Sequence, residues 1–156
     1  LKLKEEVRAA TAHEVGHYTL RHVWRSVVLF SVIVMMAFFI ADRSYGRVAA
    51  ALRSQAPLSS PTSLPVVMVM MSLLLLLAQP VVNAFIRLGE TQADQYSLET
   101  AKLPDAMARA LVKTAEYRYP RPHPVQEMLF YSHPSVERRV RMAMDWKAAN
   151  AIESTK

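Results

Sequence analysis

The chain is 156 residues long, enough for one domain with a core of its own. Hydrophobic residues make up 52% and charged residues 21%, so the apolar content has to be gathered into particular segments; the absence of cysteine excludes disulfides and thiolate metal sites and leaves His, Asp and Glu as the strong ligands. The net charge of +6 is spread along the chain without an aromatic-interleaved basic motif, which speaks against a nucleic-acid partner and suits the basic flanks of membrane spans.

Residues 1–25 read as a helix, in which Leu3, Val7, Ala10, His13 or Glu14, His17 and Leu20 or Arg21 recur at three-to-four spacing. Because the chain opens at Leu1 inside this helical pattern, it is expected to be a fragment or a processed piece of a longer protein. No signal peptide is visible, since the first apolar run comes only after Trp24. Residues 26–41 carry no charge and span about 24 Å as a helix, or close to the ~30 Å of a hydrocarbon core once Val23 and Trp24 are added. Residues 42–63 form a turn-rich connector with Gly46, Pro57 and Pro61, in which 47–53 has the makings of a short surface helix.

Residues 64–86 are the second charge-free run, about 35 Å of helix, long enough to cross a bilayer with some tilt. Pro80 removes a backbone donor inside it and predicts a kink, and Gln79 and Asn83 are polar residues expected to face other helices or a cavity. The two runs predict a transmembrane hairpin. Five Lys or Arg lie in the first 25 residues, three in the connector and eleven after Ile86, so the positive-inside tendency puts both ends in the cytoplasm and the connector outside. Residues 87–156 are polar and mostly helical: a helix over 86–100, another over Leu103–Tyr117, a proline-rich loop over 119–124, a turn at Ser132-His133-Pro134-Ser135, and a last helix starting near Ser135, a plausible N-cap.

Within the first helix, His13-Glu14-Val15-Gly16-His17 reads H-E-x-x-H. Positions i and i+4 share a helix face, so both imidazoles can reach one metal ion, with Glu14 placed to take the proton of a water activated there. A catalytic zinc keeps three protein ligands and an open position. The extension that supplies a third histidine from the same helix fails here: Leu20 and Val23 stand at its glycine and histidine, and His22, one residue early, reads as an interface or surface histidine. The alternative is a carboxylate from a second helix. Glu90 and Asp94 are again i and i+4. Glu90 is the candidate ligand, and Asp94 a candidate acceptor for a ligand imidazole. The competing reading is an ordinary acidic helix face.

Taken together, Ala12 to Tyr18, the Pro80, Asn83, Arg87 and Glu90-x-x-Ala93-Asp94 series, and Ser132-His133-Pro134 with Glu137-Arg138 resemble the integral-membrane zinc metalloproteases of the type 1 CAAX prenyl protease and HtpX. The stretch from Ala108 to Arg138 is closer to the CAAX prenyl protease branch, and the resemblance runs from about Arg8 to Met144. It implies that His13, His17 and Glu90 bind one Zn2+, that Glu14 is the general base and that Asp94 orients a ligand histidine. It also implies that His133 and Arg138 act at the active site on substrate or the developing oxyanion. His133 is also compatible with a simple turn, Arg138 with a surface position, and His123 is given only a structural role. Family members carry further spans before the H-E-x-x-H helix, and these are expected to belong to upstream segments of the longer parent chain.

The expectation is therefore an all-α membrane-embedded hairpin with a zinc site at its cytoplasmic end and a helical C-terminal cap, forming one catalytic domain. It would be a zinc endopeptidase with a polypeptide substrate, either a CAAX-type prenylated protein or a misfolded or membrane protein. Its place would be a multi-pass integral protein of the bacterial inner membrane, or of the endoplasmic reticulum in a eukaryote. A catalytically idle membrane adaptor is the first rival, against which the intact Glu14 argues. A soluble helical metal-binding domain is the second, against which the two uncharged runs argue.

Overall fold

The computed structural model describes residues 2–115 and 120–153. All regular structure among them is helical: α1 (Lys2–Thr19), α2 (His22–Ala51), a 3-10 turn (Pro61–Ser63), α3 (Leu64–Ala101), α4 (Pro104–Thr114), α5 (Pro124–Phe130) and α6 (Val136–Glu153). The expected helix end at Tyr117 and loop start at Tyr119 lie outside the described residues.

The helices are longer than the sequence pattern suggests. α2 runs on through 42–51, where neither a proline nor a turn sequence stops it. α3 joins the apolar run and the acidic segment that follows into one 38-residue helix with Pro80 inside it. α1, α2 and α3 are each followed by a basic residue with positive φ, at Arg21 (55°), Arg53 (55°) and Lys102 (54°). In this left-handed conformation Lys102 N–H bonds back to Leu98 O at 3.1 Å and Arg21 N–H to Tyr18 O at 3.1 Å, satisfying carbonyls that a helix end leaves open. A non-glycine residue pays about 1–2 kcal/mol for that conformation, partly offset by a cation beside the negative helix end.

The chain divides into two compact units, residues 24–81 and residues 1–23 with 82–156. In the first, Ala41, Tyr45 and Ala49 stand one helical turn apart and pack on Val66 and Met70. The Tyr45 hydroxyl donates to Ala56 O at 2.7 Å, and Ser60 caps the 3-10 turn through Thr62 N–H. α2 and the Pro61–Ala101 stretch are long and apolar enough to cross a membrane, with mean hydropathy 2.3 and 2.2 over their apolar windows. Only 6% and 11% of those apolar stretches is buried, unlike the mostly buried helices of a soluble core.

In the second unit Ala9, Leu98, Ala106, Met107, Leu111 and Ala143 form a core drawn from α1, α3, α4 and α6. Its rim is ionic. Arg109 and Lys113 of α4 reach the buried Glu6 of α1 at 3.2 and 2.5 Å, and Lys147 of α6 reaches Asp105 of α4 at 2.8 Å.

Candidate metal centre

α1 and α3 meet at Gly16. A Cβ there would stand 3.2 Å from Ala93 Cα and 3.1 Å from the Tyr96 ring, so the missing side chain is what lets the two backbones close. One turn away the buried Ser97 hydroxyl donates to Ala9 O at 2.8 Å, tying the same pair of helices. This approach brings the i, i+4 pair Glu90 and Asp94 against the i, i+4 pair His13 and His17.

His13 Nε2 and His17 Nε2 are 3.1 Å apart, His13 Nε2 is 3.5 Å from Glu90 Oε2, and His17 Nε2 is 3.4 Å from Glu90 Oε1. Ligands about 2.0–2.1 Å from a tetrahedral zinc stand about 3.3 Å from one another, so the three donors already have the spacing that ion requires. The donor set also fits: two imidazoles and one carboxylate, with no thiolate. Among the described residues this is the cluster whose ligand atoms converge in this way.

The next ring of contacts fixes the imidazoles. His13 Nδ1 lies 2.8 Å from Oδ1 of Asp94, which is fully buried. Asp94 in turn receives two hydrogen bonds from the Arg139 guanidinium, from Nε and Nη2, each 2.6 Å. Burial pushes His13 down, but the Asp94 and Glu90 carboxylates outweigh it and hold the metal-free imidazole at about 9, against an ordinary 6.5. His17 Nδ1 lies 3.0 Å from His22 Nδ1, and His22 Nε2 lies 3.1 Å from Gln92 Oε1. His22 is buried at 7% exposure against α3, so of the two positions expected for it, interface or surface, it takes the interface.

Glu14 is exposed and borders the same open cavity of about 540 Å³ as His13, His17, Glu90, His133 and Arg139. No ion pair engages Glu14 among the described residues. Ala9, Ala10, Met107, Ala110 and Leu111 give the cavity an apolar part of its lining.

His133 turns its Nε2 to within 3.5 Å of Glu90 Oε1 while Ser132 Oγ lies 3.0 Å from its Nδ1. Its loop is held from α3. The Arg87 guanidinium donates to Glu127 O at 2.9 Å and Tyr131 O at 2.5 Å, and Asn83 donates to Leu129 O at 2.7 Å, which ties the C-terminal end of α5 to α3. His123 caps α5 by accepting from Val125 N–H at 3.3 Å.

Arg138 is not at the cavity. It is 69% exposed and pairs with Glu127 Oε1 at 3.4 Å, while its neighbour Arg139 lines the site. Successive helix residues are turned about 100° apart, and Arg139 shares its face with the buried Ala143 four residues on. The sequence did not separate the two arginines, because Arg138 has the apolar Met142 four residues on just as Arg139 has Ala143, and His22 carried no signal either.

Residues 1–147 match the family model described as Peptidase family M48. The chain is 28% identical over 153 residues to an uncharacterized metalloprotease, YhfN, of Bacillus subtilis (strain 168), covering 95% of this chain and 35% of that protein. Its fold matches the crystal structure of S. mikatae Ste24p with a TM-score of 0.69 at 18% identity, covering 87% of this chain and 34% of that one. The chain thus spans about a third of the length of either relative. With the H-E-x-x-H helix, the returning Glu90 and the family match over nearly its whole length, the chain belongs to peptidase family M48, the metalloproteases.

Proposed function

We propose that this chain carries the catalytic centre of a membrane-bound zinc endopeptidase that hydrolyses polypeptides. The observation that carries the reading is the convergence of three donor atoms at 3.1–3.5 Å beside a second, exposed carboxylate, Glu14, on the same cavity. His13, His17 and Glu90 would hold the ion. Bound there, zinc supplies Lewis acidity, lowering the pKa of water towards neutrality and polarising a carbonyl.

The chain's own residues do the rest. Glu14 accepts the proton of the attacking water and passes it to the leaving amine. His133 Nε2 donates to the oxyanion that develops on the scissile carbonyl. Asp94, clamped by Arg139, holds the His13 tautomer with its proton on Nδ1 and its lone pair on Nε2. The distribution of basic residues supports a cytoplasmic site on a multi-pass protein. Prenylated CAAX-type proteins and misfolded or membrane proteins are the two substrate classes consistent with that position. The rival reading, an idle adaptor, leaves the exposed Glu14 without a purpose.

The test pairs zinc content with peptide cleavage in the full-length protein. Glu14→Gln is expected to keep its zinc and lose about 10²–10⁴-fold in cleavage rate. Glu90→Ala is expected to lose zinc. Undiminished cleavage by Glu14→Gln would rule out Glu14 as the base, and unchanged zinc affinity in Glu90→Ala would put the third ligand elsewhere.

A further inference from the structure

His22 is five residues beyond His17. On an uninterrupted helix it would be turned about 140° away from it. The left-handed residue Arg21, at φ 55°, breaks α1 from α2 and brings the His22 ring back so that the two Nδ1 atoms are 3.0 Å apart. His22 is then buried at 7% exposure, with Nε2 3.1 Å from Gln92 Oε1 on α3.

The protons on this chain of contacts have one consistent arrangement when His17 Nε2 is the ligand. Its lone pair is then committed, so the His17 proton sits on Nδ1. His22 Nδ1 must accept that proton's hydrogen bond, which puts the His22 proton on Nε2. Gln92 Oε1 accepts it there. Each donor finds an acceptor, and the series ends on a neutral amide oxygen.

We propose that His22, braced by Gln92, is the positioning residue of His17, fixing its ring and tautomer for the metal as Asp94 does for His13. This rests on the reading of His17 as a ligand through Nε2. The two ligand histidines are thereby held by unlike partners: His13 by a buried carboxylate, His17 by a neutral imidazole. Gln92 lies midway between Glu90 and Asp94 in sequence, so one short stretch of α3 supplies the carboxylate ligand and the support of both imidazoles.

The experiment measures zinc affinity of the full-length protein in detergent by competition with a chromophoric chelator, together with the absorption spectrum of the cobalt(II) form. His22→Phe keeps the ring's bulk and removes the acceptor. It is expected to weaken zinc binding about 10- to 100-fold and to alter the cobalt spectrum. His22→Asn places an oxygen where Nδ1 stood and is expected to recover most of the affinity. Equal affinity of His22→Phe and wild type overturns the proposal, as does failure of His22→Asn to improve on His22→Phe. Should His22→Phe not fold, Gln92→Leu and Gln92→Glu carry the test: affinity lost in the first and regained in the second supports it, and equal affinity in the two overturns it. His17→Ala separates the two levels. Loss of zinc there with none in His22→Phe removes only the positioning role, whereas zinc retained in His17→Ala removes the ligand reading beneath it.

Discussion

At the scale of single residues, His13 is contested between a proton and a metal. Asp94 and Glu90 hold the metal-free imidazole at about 9, so at neutral pH it is protonated. A raised histidine contributes stability that is fully present below its unfolded value of 6.5 and is lost as the pH rises through about 9. Zinc uptake runs the other way. Binding must expel that proton, so apparent affinity is expected to rise about tenfold per pH unit between about pH 6 and 8 on account of His13 alone. Chelator competition at several pH values measures the slope, and a flat profile would show that His13 is already neutral in the metal-free protein. The two adjacent arginines give a second residue-scale prediction. Arg139→Ala leaves Asp94 buried without its cation and is expected to cost about 3–5 kcal/mol in thermal or denaturant unfolding and to loosen zinc. Arg138→Ala is expected to leave zinc affinity unchanged. The H-E-x-x-H pair was legible in the sequence because a helix fixes i, i+4 neighbours locally. His22 was not, because its position depends on a left-handed turn at an arginine, a residue type that gives no warning of one.

At the scale of helices, the site depends on how closely α1 and α3 approach. Gly16→Ala would gain about 1 kcal/mol of helix propensity, but its Cβ meets backbone at Ala93, 3.2 Å away, where no flexible side chain can yield. Overpacking of this kind costs about 1–3 kcal/mol, so the net expectation is a small loss of stability with a clear loss of zinc affinity as Glu90 is pushed off the histidines. Thermal unfolding with and without zinc separates the two; a variant with tighter zinc binding would show that the crossing is not the limiting contact. Gly16 stands inside the motif as one of its unspecified positions, and nothing in the sequence indicates which backbone approaches it. Glu90 was legible only as a candidate, because nothing local joins two helices more than seventy residues apart in the chain. The helix ends were harder still. α2 continues past its apolar stretch because backbone hydrogen bonding does not stop where hydropathy does.

At the scale of the molecule, one long helix carries both an apolar stretch and the carboxylates of the candidate metal site, since α3 runs from Leu64 to Ala101. Residues such as Trp24, Phe38, Leu73 and Leu77 expose half or more of their surface among the described residues. The expected outcome is a chain that stays monodisperse in detergent and aggregates on its removal, as sedimentation or size-exclusion measurements would register. A monodisperse chain in plain buffer would favour a water-soluble helical metal protein instead. The two uncharged runs made this much legible at once, because a bilayer sets a minimum length that few soluble helices reach without charge.

The turn at Leu20 and Arg21 acts as a gauge of residue count. Removing or adding one residue between Tyr18 and Arg21 leaves all five residues of the H-E-x-x-H motif in place, yet rotates the His22 ring out of line with His17. Such a chain would pass any inspection of its motif and still hold its metal loosely. On that proposal the histidine half of the site is ten residues long, His13 to His22, and its spacing counts as much as its side chains.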